Sequence, residues 1–186
     1  HAASYGGFNV IEFNPDESVN VRPVLLGFRE RQILNNHLFL FYTGIMREAN
    51  TVLSDQRSRV EDNIDRYRKM TENVFQFEEH LFAGDMEKAG HLLHEGWLEK
   101  KQLGANVTNK IIDALYDEGI KNGAWGGKIL GAGGGGCILF VAPPEKHSAI
   151  RTALTKAAKT AGLDGFQEIP FTFTDSGADI LANHLY

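Results

Sequence analysis

Polar and apolar positions change period several times along this chain, and each change marks an element. Phe8-Asn9-Val10-Ile11-Glu12-Phe13 alternates loosely, Asn14-Pro15-Asp16-Glu17 supplies turn chemistry, and Val19-Asn20-Val21-Arg22-Pro23-Val24 alternates again. This pattern predicts a β-hairpin. Leu38-Phe39-Leu40-Phe41-Tyr42 is apolar without interruption and is closed by Thr43-Gly44, which suits a strand buried on both faces. From Val60 the spacing is helical: Val60, Ile64, Tyr67, Val74 and Leu81 share a stripe, with Asp62/Arg66 and Asp65/Lys69 placed as i,i+4 pairs outside it. Gly84-Asp85 breaks that helix, and Asp85 can cap a second one that runs through Leu92, Leu93 and Trp97 to about Leu103-Gly104. A third helix turns Ile111, Ile112, Leu115, Tyr116 and Ile120 inward and stops near Asn122-Gly123.

Lys128-Ile129-Leu130, then Gly131-Ala132-Gly133-Gly134-Gly135-Gly136, then Cys137-Ile138-Leu139-Phe140-Val141 read as strand, glycine loop, strand. Pro143-Pro144 opens a helix with Ala149, Ile150, Ala153, Leu154 and Ala157 on its inner face; Gly162 ends it, and a last strand covers Gln167 to Phe173. From Leu38 onward the order is strand, helices, strand, strand, helix, strand. This predicts an α+β fold, the split βαβ or ferredoxin-like arrangement with helices inserted in its first crossover. The hairpin lies outside that unit. Residues 1–30 are therefore expected to end an upstream domain, and 31–186 to form a domain of their own. The chain opens His1-Ala2-Ala3-Ser4-Tyr5 without Met and runs straight into a strand-like segment, so a fragment is expected.

Composition narrows the function. At 186 residues the chain holds about one domain, and 42% hydrophobic with 23% charged residues is a globular balance. A net charge of −5 without a long basic run argues against nucleic acid or an anionic membrane as partner. The single cysteine, Cys137, excludes an internal disulfide framework and fits a reducing compartment, the cytoplasm by default; it reads as a small buried residue, and Met46, Met70 and Met86 read as core filler. Neither a long apolar run nor a secretion signal is present. His80, His91 and His94 lack zinc-ligand spacing, and no metal site is expected in this chain.

The glycine cluster matches G-x-G-x-x-G literally, but a dinucleotide fingerprint needs a helix after its glycines, and here the β-prone Cys137–Val141 run follows. No Gly-Lys-Ser or Gly-Lys-Thr follows either, so this is not a Walker A loop. Two physical readings of the run remain open. One is a tight connection between strands that needs positive φ; the other is a nest of side-chain-free amides approachable by a phosphate or another loop.

The stretch Gly126-Gly127-Lys128-Ile129-Leu130-Gly131-Ala132-Gly133-Gly134-Gly135-Gly136-Cys137 closely resembles the third conserved motif of the GHMP kinase superfamily. Ala2-Ala3-Ser4-Tyr5-Gly6-Gly7-Phe8-Asn9, Phe41-Tyr42-Thr43-Gly44-Ile45-Met46-Arg47 and Gly96-Trp97-Leu98-Glu99-Lys100-Lys101-Gln102-Leu103 resemble its sugar-kinase branch, typified by the heptose 7-phosphate kinases. The similarity covers essentially the whole chain but maps to the C-terminal half of such a kinase. The resemblance implies a ferredoxin-like C-terminal domain, and ATP with Mg2+ bound mainly by an N-terminal half that would be this chain's partner. It implies a catalytic aspartate upstream of His1, and none within the chain.

By the same resemblance Gly131, Ala132, Gly133, Gly134, Gly135 and Gly136 form the nucleotide-phosphate loop, and Tyr5, Gly6 and Gly7 line the sugar pocket. Thr43, Gly44 and Arg47 sit where a buried strand gives way to a helix, a place for amides and a guanidinium to hold a sugar hydroxyl or phosphate; alternatively Arg47 is a solvated helix-start residue. Lys101 is a further pocket candidate, although a lysine near a helix C-terminus is also explained by the helix dipole. Lys128 lies beside the loop or points to solvent. The expected function is an ATP-dependent kinase acting on the anomeric hydroxyl of a sugar or sugar phosphate, a heptose 7-phosphate first, with fucose, galactose or mevalonate as other substrates of the superfamily. The rival reading is a standalone ferredoxin-like module that binds a small molecule or partner without catalysis.

Overall fold

The computed structural model describes residues 2–46 and 49–178. In chain order the elements are α1 (Ala2–Tyr5), β1 (Asn9–Phe13), β2 (Val19–Pro23), α2 (Phe28–His37), β3 (Leu38–Tyr42), α3 (Ala49–Arg57), α4 (Ile64–Ala83), α5 (Met86–Lys101), α6 (Lys110–Lys121), β4 (Gly126–Ile129), β5 (Cys137–Val141), α7 (His147–Thr160) and β6 (Gln167–Ile169). Short 3-10 turns at Glu61–Asn63 and Pro144–Lys146 lead into α4 and α7.

The strands form two antiparallel sheets in a mixed helix-and-strand fold. The hairpin β1–β2 makes one, with Ile11 opposite Val21. The other has strand order β4-β5-β3-β6, with Phe39 opposite Phe140 and Phe41 opposite Ile138 across its centre. Phe39, Phe41, Ile138 and Phe140 are buried, and Tyr116 of α6 and Ile150 and Leu154 of α7 pack in the same cluster. Leu38, Leu40 and Tyr42 on the other face of β3 are only half-buried, so that strand is closed on one face and not, as its continuous apolar run suggests, on both.

Local signals explain most element ends. Gly84 closes α4 in the left-handed conformation at φ 68°, and the Asp85 carboxylate accepts the Lys88 amide at the start of α5 at 3.1 Å. The last strand stops at Ile169, four residues short of the predicted Phe173. Pro170 has no amide to continue the ladder, and Phe173 instead packs edge-to-face on Phe8, with ring centroids 6.1 Å apart.

Tertiary context overrides sequence pattern in several places. Ala2–Tyr5 is a helical turn, not a strand entry. Helix α2 carries no clear apolar stripe; only its Leu34 is buried, in a cluster with Leu81 and Met86. On α4 only Leu81 of the proposed stripe is buried, while Ile64 and Val74 are exposed and Val60 lies before the helix and is exposed too. The pairs Asp62/Arg66 and Asp65/Lys69 do not form. Arg66 and Lys69 both reach across to Glu99 of α5, at 2.6 and 2.8 Å, and Asp65 pairs with Arg68 at 3.0 Å. One carboxylate between two cations accepts better than two solvated neighbours on the same helix, and the lysine and arginine together hold the Glu99 carboxyl below its usual range. Ile111 and Ala149 face outward, and Met46 is 87% exposed, in contrast to the core roles predicted for them.

Candidate functional site

The glycine loop closes the β4–β5 hairpin, with the Leu130 amide donating to the Cys137 carbonyl at 2.9 Å at its base. Its backbone has positive φ at Gly131 (71°), Gly133 (109°), Gly134 (75°) and Gly136 (83°). Only glycine adopts such a series without strain.

The loop is braced from three directions. The Gly134 amide donates to the Val107 carbonyl at 2.7 Å, and a side chain at Gly133 would run into the Val107 backbone. The Gly136 amide donates to the Ile45 carbonyl at 3.0 Å, while the Gly136 carbonyl accepts both the amide (2.9 Å) and the hydroxyl (2.8 Å) of Thr43. Gln56 of α3 donates to the Ala132 carbonyl and Asn109 to the Gly134 carbonyl, each at 3.4 Å, and Lys100 donates to the Gly131 carbonyl. The carbonyls of residues 131, 132, 134 and 136 are thus satisfied from the protein side. Among the described residues the amides of 131, 132, 133 and 135 meet no backbone acceptor. At Gly131 and Gly136 an added side chain would meet open space. Unpaired amides on a bare, fixed backbone can donate to an anion such as a phosphate.

The structure brings some sequence-predicted residues to this loop and places others elsewhere. Thr43 is fully buried, and its hydroxyl also accepts the Ile45 amide at 3.2 Å, so it clamps the loop to the end of β3. Gly44, at φ 75°, is confined by the Gly165–Phe166 backbone. Arg47 lies outside the described residues. Lys101 donates to Asp113 of α6 at 3.1 Å, and Thr108 donates to the same oxygen at 3.0 Å, so Lys101 joins α5 to α6. Tyr5 is 58% exposed at the end of α1. Gly6 is pressed against the backbone of Ser176 and Gly177, and the Gly7 amide donates to Thr174 at 3.0 Å, which puts these residues on the hairpin side, against the segment after β6. Burial pushes the Cys137 thiol up, so it stays protonated beside the loop.

Sequence reasoning missed the strut beneath the loop, Val107-Thr108-Asn109. Asn109 caps α6 by accepting from the Ile111 and Ile112 amides at 3.1 and 3.0 Å, and the same side chain reaches Gly134. An asparagine directly before an apolar helical stretch was the available signal. The strand that feeds the loop is also anchored. Tyr116 donates to the Gly127 carbonyl at 3.2 Å, so the His94 Nδ1, 2.8 Å from the phenol oxygen, carries the proton of that second bond. Among the described residues no group of three or more His, Cys, Asp or Glu is arranged to hold a metal ion.

The geometry agrees with what this chain is similar to. It is 29% identical over 179 residues to a D-glycero-alpha-D-manno-heptose 7-phosphate kinase of Campylobacter jejuni, covering 95% of this chain and 51% of that enzyme. A D-glycero-D-manno-heptose 1-phosphate kinase from Bacteroides thetaiotaomicron shares its fold, with TM-score 0.66 and 24% identity over 97% of this chain and 48% of that one. So does the L. major mevalonate kinase solved with R-mevalonate, with TM-score 0.65 and 20% identity over 90% of this chain and 49% of that one. The chain therefore spans about half the length of these relatives. The family described as GHMP kinases C terminal matches residues 77–160, a stretch that contains α5, the Val107–Asn109 strut, the glycine loop and both of its strands. The braced, side-chain-free loop between antiparallel strands thus lies inside the stretch that is similar to the C-terminal domain of GHMP kinases.

Proposed function

We propose that this chain is the C-terminal portion of an ATP-dependent sugar kinase that phosphorylates the anomeric hydroxyl of a sugar or sugar phosphate, with a heptose 7-phosphate as the first candidate. The observation that carries this reading is the braced glycine loop with its unpaired amides at 131, 132, 133 and 135. The similarity to a heptose 7-phosphate kinase along 95% of the chain supports the substrate class.

Bound ATP would supply the transferred phosphoryl group. The chain's own part is to hold phosphate oxygens on the loop amides and to keep those donors still. The braces from Thr43, Ile45, Val107 and Asn109 fix the loop in advance, so the donors need no reorganisation as charge develops. Lys100, whose ammonium touches the Gly131 carbonyl, adds a positive charge beside the same loop. Within the proposal Thr43 and Gly44 set the loop against the sugar side, Arg47 grips a distal phosphate, and Tyr5, Gly6, Gly7 and Lys101 line or frame the pocket. The described residues hold no group of three or more His, Cys, Asp or Glu for Mg2+, so that ion is not assigned to them, and the catalytic aspartate is placed upstream of His1 by the family resemblance alone. Both are proposed to come from an N-terminal half, with residues 1–30 as the end of its domain. Phe13, Leu25 and Phe28, all exposed on the hairpin side, are consistent with such a neighbour.

Gly131→Ala in the complete kinase tests the loop. The added methyl meets open space but is forced to φ 71°, a folding cost of about 1–2 kcal/mol. It also intrudes where phosphate should approach the amides, and losing one charge-assisted contact corresponds to about 1.5–3 kcal/mol, or at least tenfold in the KM for ATP. Unchanged ATP kinetics in a folded Gly131→Ala enzyme would overturn the phosphate assignment. Turnover by the purified 186-residue chain alone would overturn the division of labour between the two halves.

A further inference from the structure

Residues of α4, α5 and β4 line a partly open cavity of about 270 Å3. Its walls are apolar, with Met70, Val74 and Phe77 from α4 facing Leu92 and Leu93 from α5. Val74 of the predicted α4 stripe faces this cavity and not the closed core. The remaining lining side chains are Asn73, Trp97, Lys100 and Lys128, and no Asp or Glu is among them. Every one of the four brings a hydrogen-bond donor, and two bring a positive charge.

Two of these donors are anomalous. Trp97 is only 1% exposed and its indole N–H has no hydrogen-bond partner; the buried Nδ2 of Asn73 has none either. Buried polar atoms are nearly always paired, so two orphan donors, one on each of the helices that line this cavity, call for an acceptor. The Lys128 ammonium has no hydrogen bond or ion pair with the described residues, and burial lowers its pKa with no opposing carboxylate. Lys100 is held nearby through the Gly131 carbonyl. A pocket with apolar walls and donors but no acidic groups is built for an anion with a hydrophobic body.

We propose that this cavity binds a small amphipathic anion, a carboxylate or phosphate head on a medium-length aliphatic body. Lys128, the Trp97 indole N–H and the Asn73 amide take the head, and Met70, Val74, Phe77, Leu92 and Leu93 take the body. The site adjoins the phosphate-holding loop through Lys100, but its donors Lys128, Trp97 and Asn73 are not part of that loop, and it does not depend on the kinase reading.

The test uses the complete protein with octanoate, octyl phosphate and octanol as probes, read by tryptophan fluorescence in a Trp125→Phe background and by thermal shift. Saturable binding of at least one anion, at least tenfold tighter than octanol, is expected, and the tighter of the two anions identifies the head group. Lys128→Met keeps the aliphatic stem and removes an unpaired buried cation, so the unliganded variant should be at least as stable as the parent. It should lose at least tenfold in anion affinity while octanol binding stays unchanged. Val74→Glu places an acid on an exposed part of the wall and should abolish anion binding with the fold intact, which keeps the test decisive if Lys128→Met fails to fold. Octanol binding as tightly as the anions, anion binding unaffected by both substitutions, or no saturable binding of either anion would each overturn the proposal.

Discussion

The core around β3 and β5 and the smaller core beneath the hairpin use the same residue types but finish differently. In the first, Phe140 lies between Phe39 and Tyr116, with ring centroids 5.8 and 5.7 Å away, and is fully buried together with Ile129, Ile138, Ile150 and Leu154. In the second, Val24 and Leu26 bury against Leu34, Leu81 and Met86, while the hairpin side leaves Phe13, Leu25 and Phe28 at 68%, 74% and 78% exposure. A two-stranded sheet is marginal by itself and depends on what it packs against. The difference shows that the loop-bearing core is closed by its own helices, whereas the core beneath the hairpin is flanked by large apolar side chains that stay exposed. The site sits on the closed core, where its braces can be rigid.

The largest effect expected from this contrast is in Phe140→Ala, which removes the ring at the centre of the closed core. It should cost about 3–5 kcal/mol in urea unfolding, with no room for the helices to collapse into the space. Leu26→Ala should cost about 2 kcal/mol, at the bottom of the range for a buried leucine, because the hairpin can yield toward solvent. Hydrogen exchange would then show lost protection at β1 and β2 while Phe39, Phe41 and Ile138 keep theirs. Equal loss in both regions would break the comparison.

A smaller effect is pH-dependent and belongs to the closed core. Burial lowers the pKa of His94, with His91 and Lys101 adding to the shift and Glu95 and Asp117 opposing it. Burial also lowers that of His147, with Arg151 and His37 adding while the Ala142 carbonyl and Glu168 oppose. For a depressed histidine the unfolded chain takes up its proton first, near pH 6.5. The stabilisation from keeping the ring neutral is therefore complete above about pH 6.5 and is lost as pH falls through the lowered folded value. Thermal melts between pH 8 and 5 should show this decline, and His94→Gln should flatten part of it. The smallest effect is the bidentate pair between Arg22 of β2 and Glu78 of α4, at 2.6 and 2.7 Å, whose arginine side is solvent-exposed. A double-mutant cycle should give a slight coupling that vanishes at about 1 M salt; a large, salt-independent coupling would mean that the hairpin is held by charge and not by Val24 and Leu26.

Where a local rule acts alone, sequence and structure agree. Leu38–Tyr42 and Cys137–Val141 are strands at the predicted residues, Asp85 caps α5, Gly84 ends α4, and the glycine run joins two strands instead of opening a helix. Each of these rests on steric or hydrogen-bonding preferences that span only a few residues. The disagreements come from partners far away in the chain. Helix α2 forms because Leu34 finds Leu81 and Met86, Arg66 and Lys69 choose Glu99 over their own helix, and Met46 is left exposed among the described residues.

The candidate site divides along the same line. Its glycines, and the family they point to, could be read from residues 126–137 directly, since positive φ and bare amides are properties of glycine itself. That Thr43 holds Gly136, that Val107 and Asn109 support Gly134, and that Lys101 faces Asp113 instead of the loop depended on the folded chain. So did the cavity where Trp97, Asn73 and Lys128 meet. Hydrophobic period and glycine content decide which segments form and where the chain must turn; which donor meets which acceptor is decided only when helices and strands distant in sequence pack, because a hydrogen bond acts over about 3 Å while the residues that make it can be ninety positions apart.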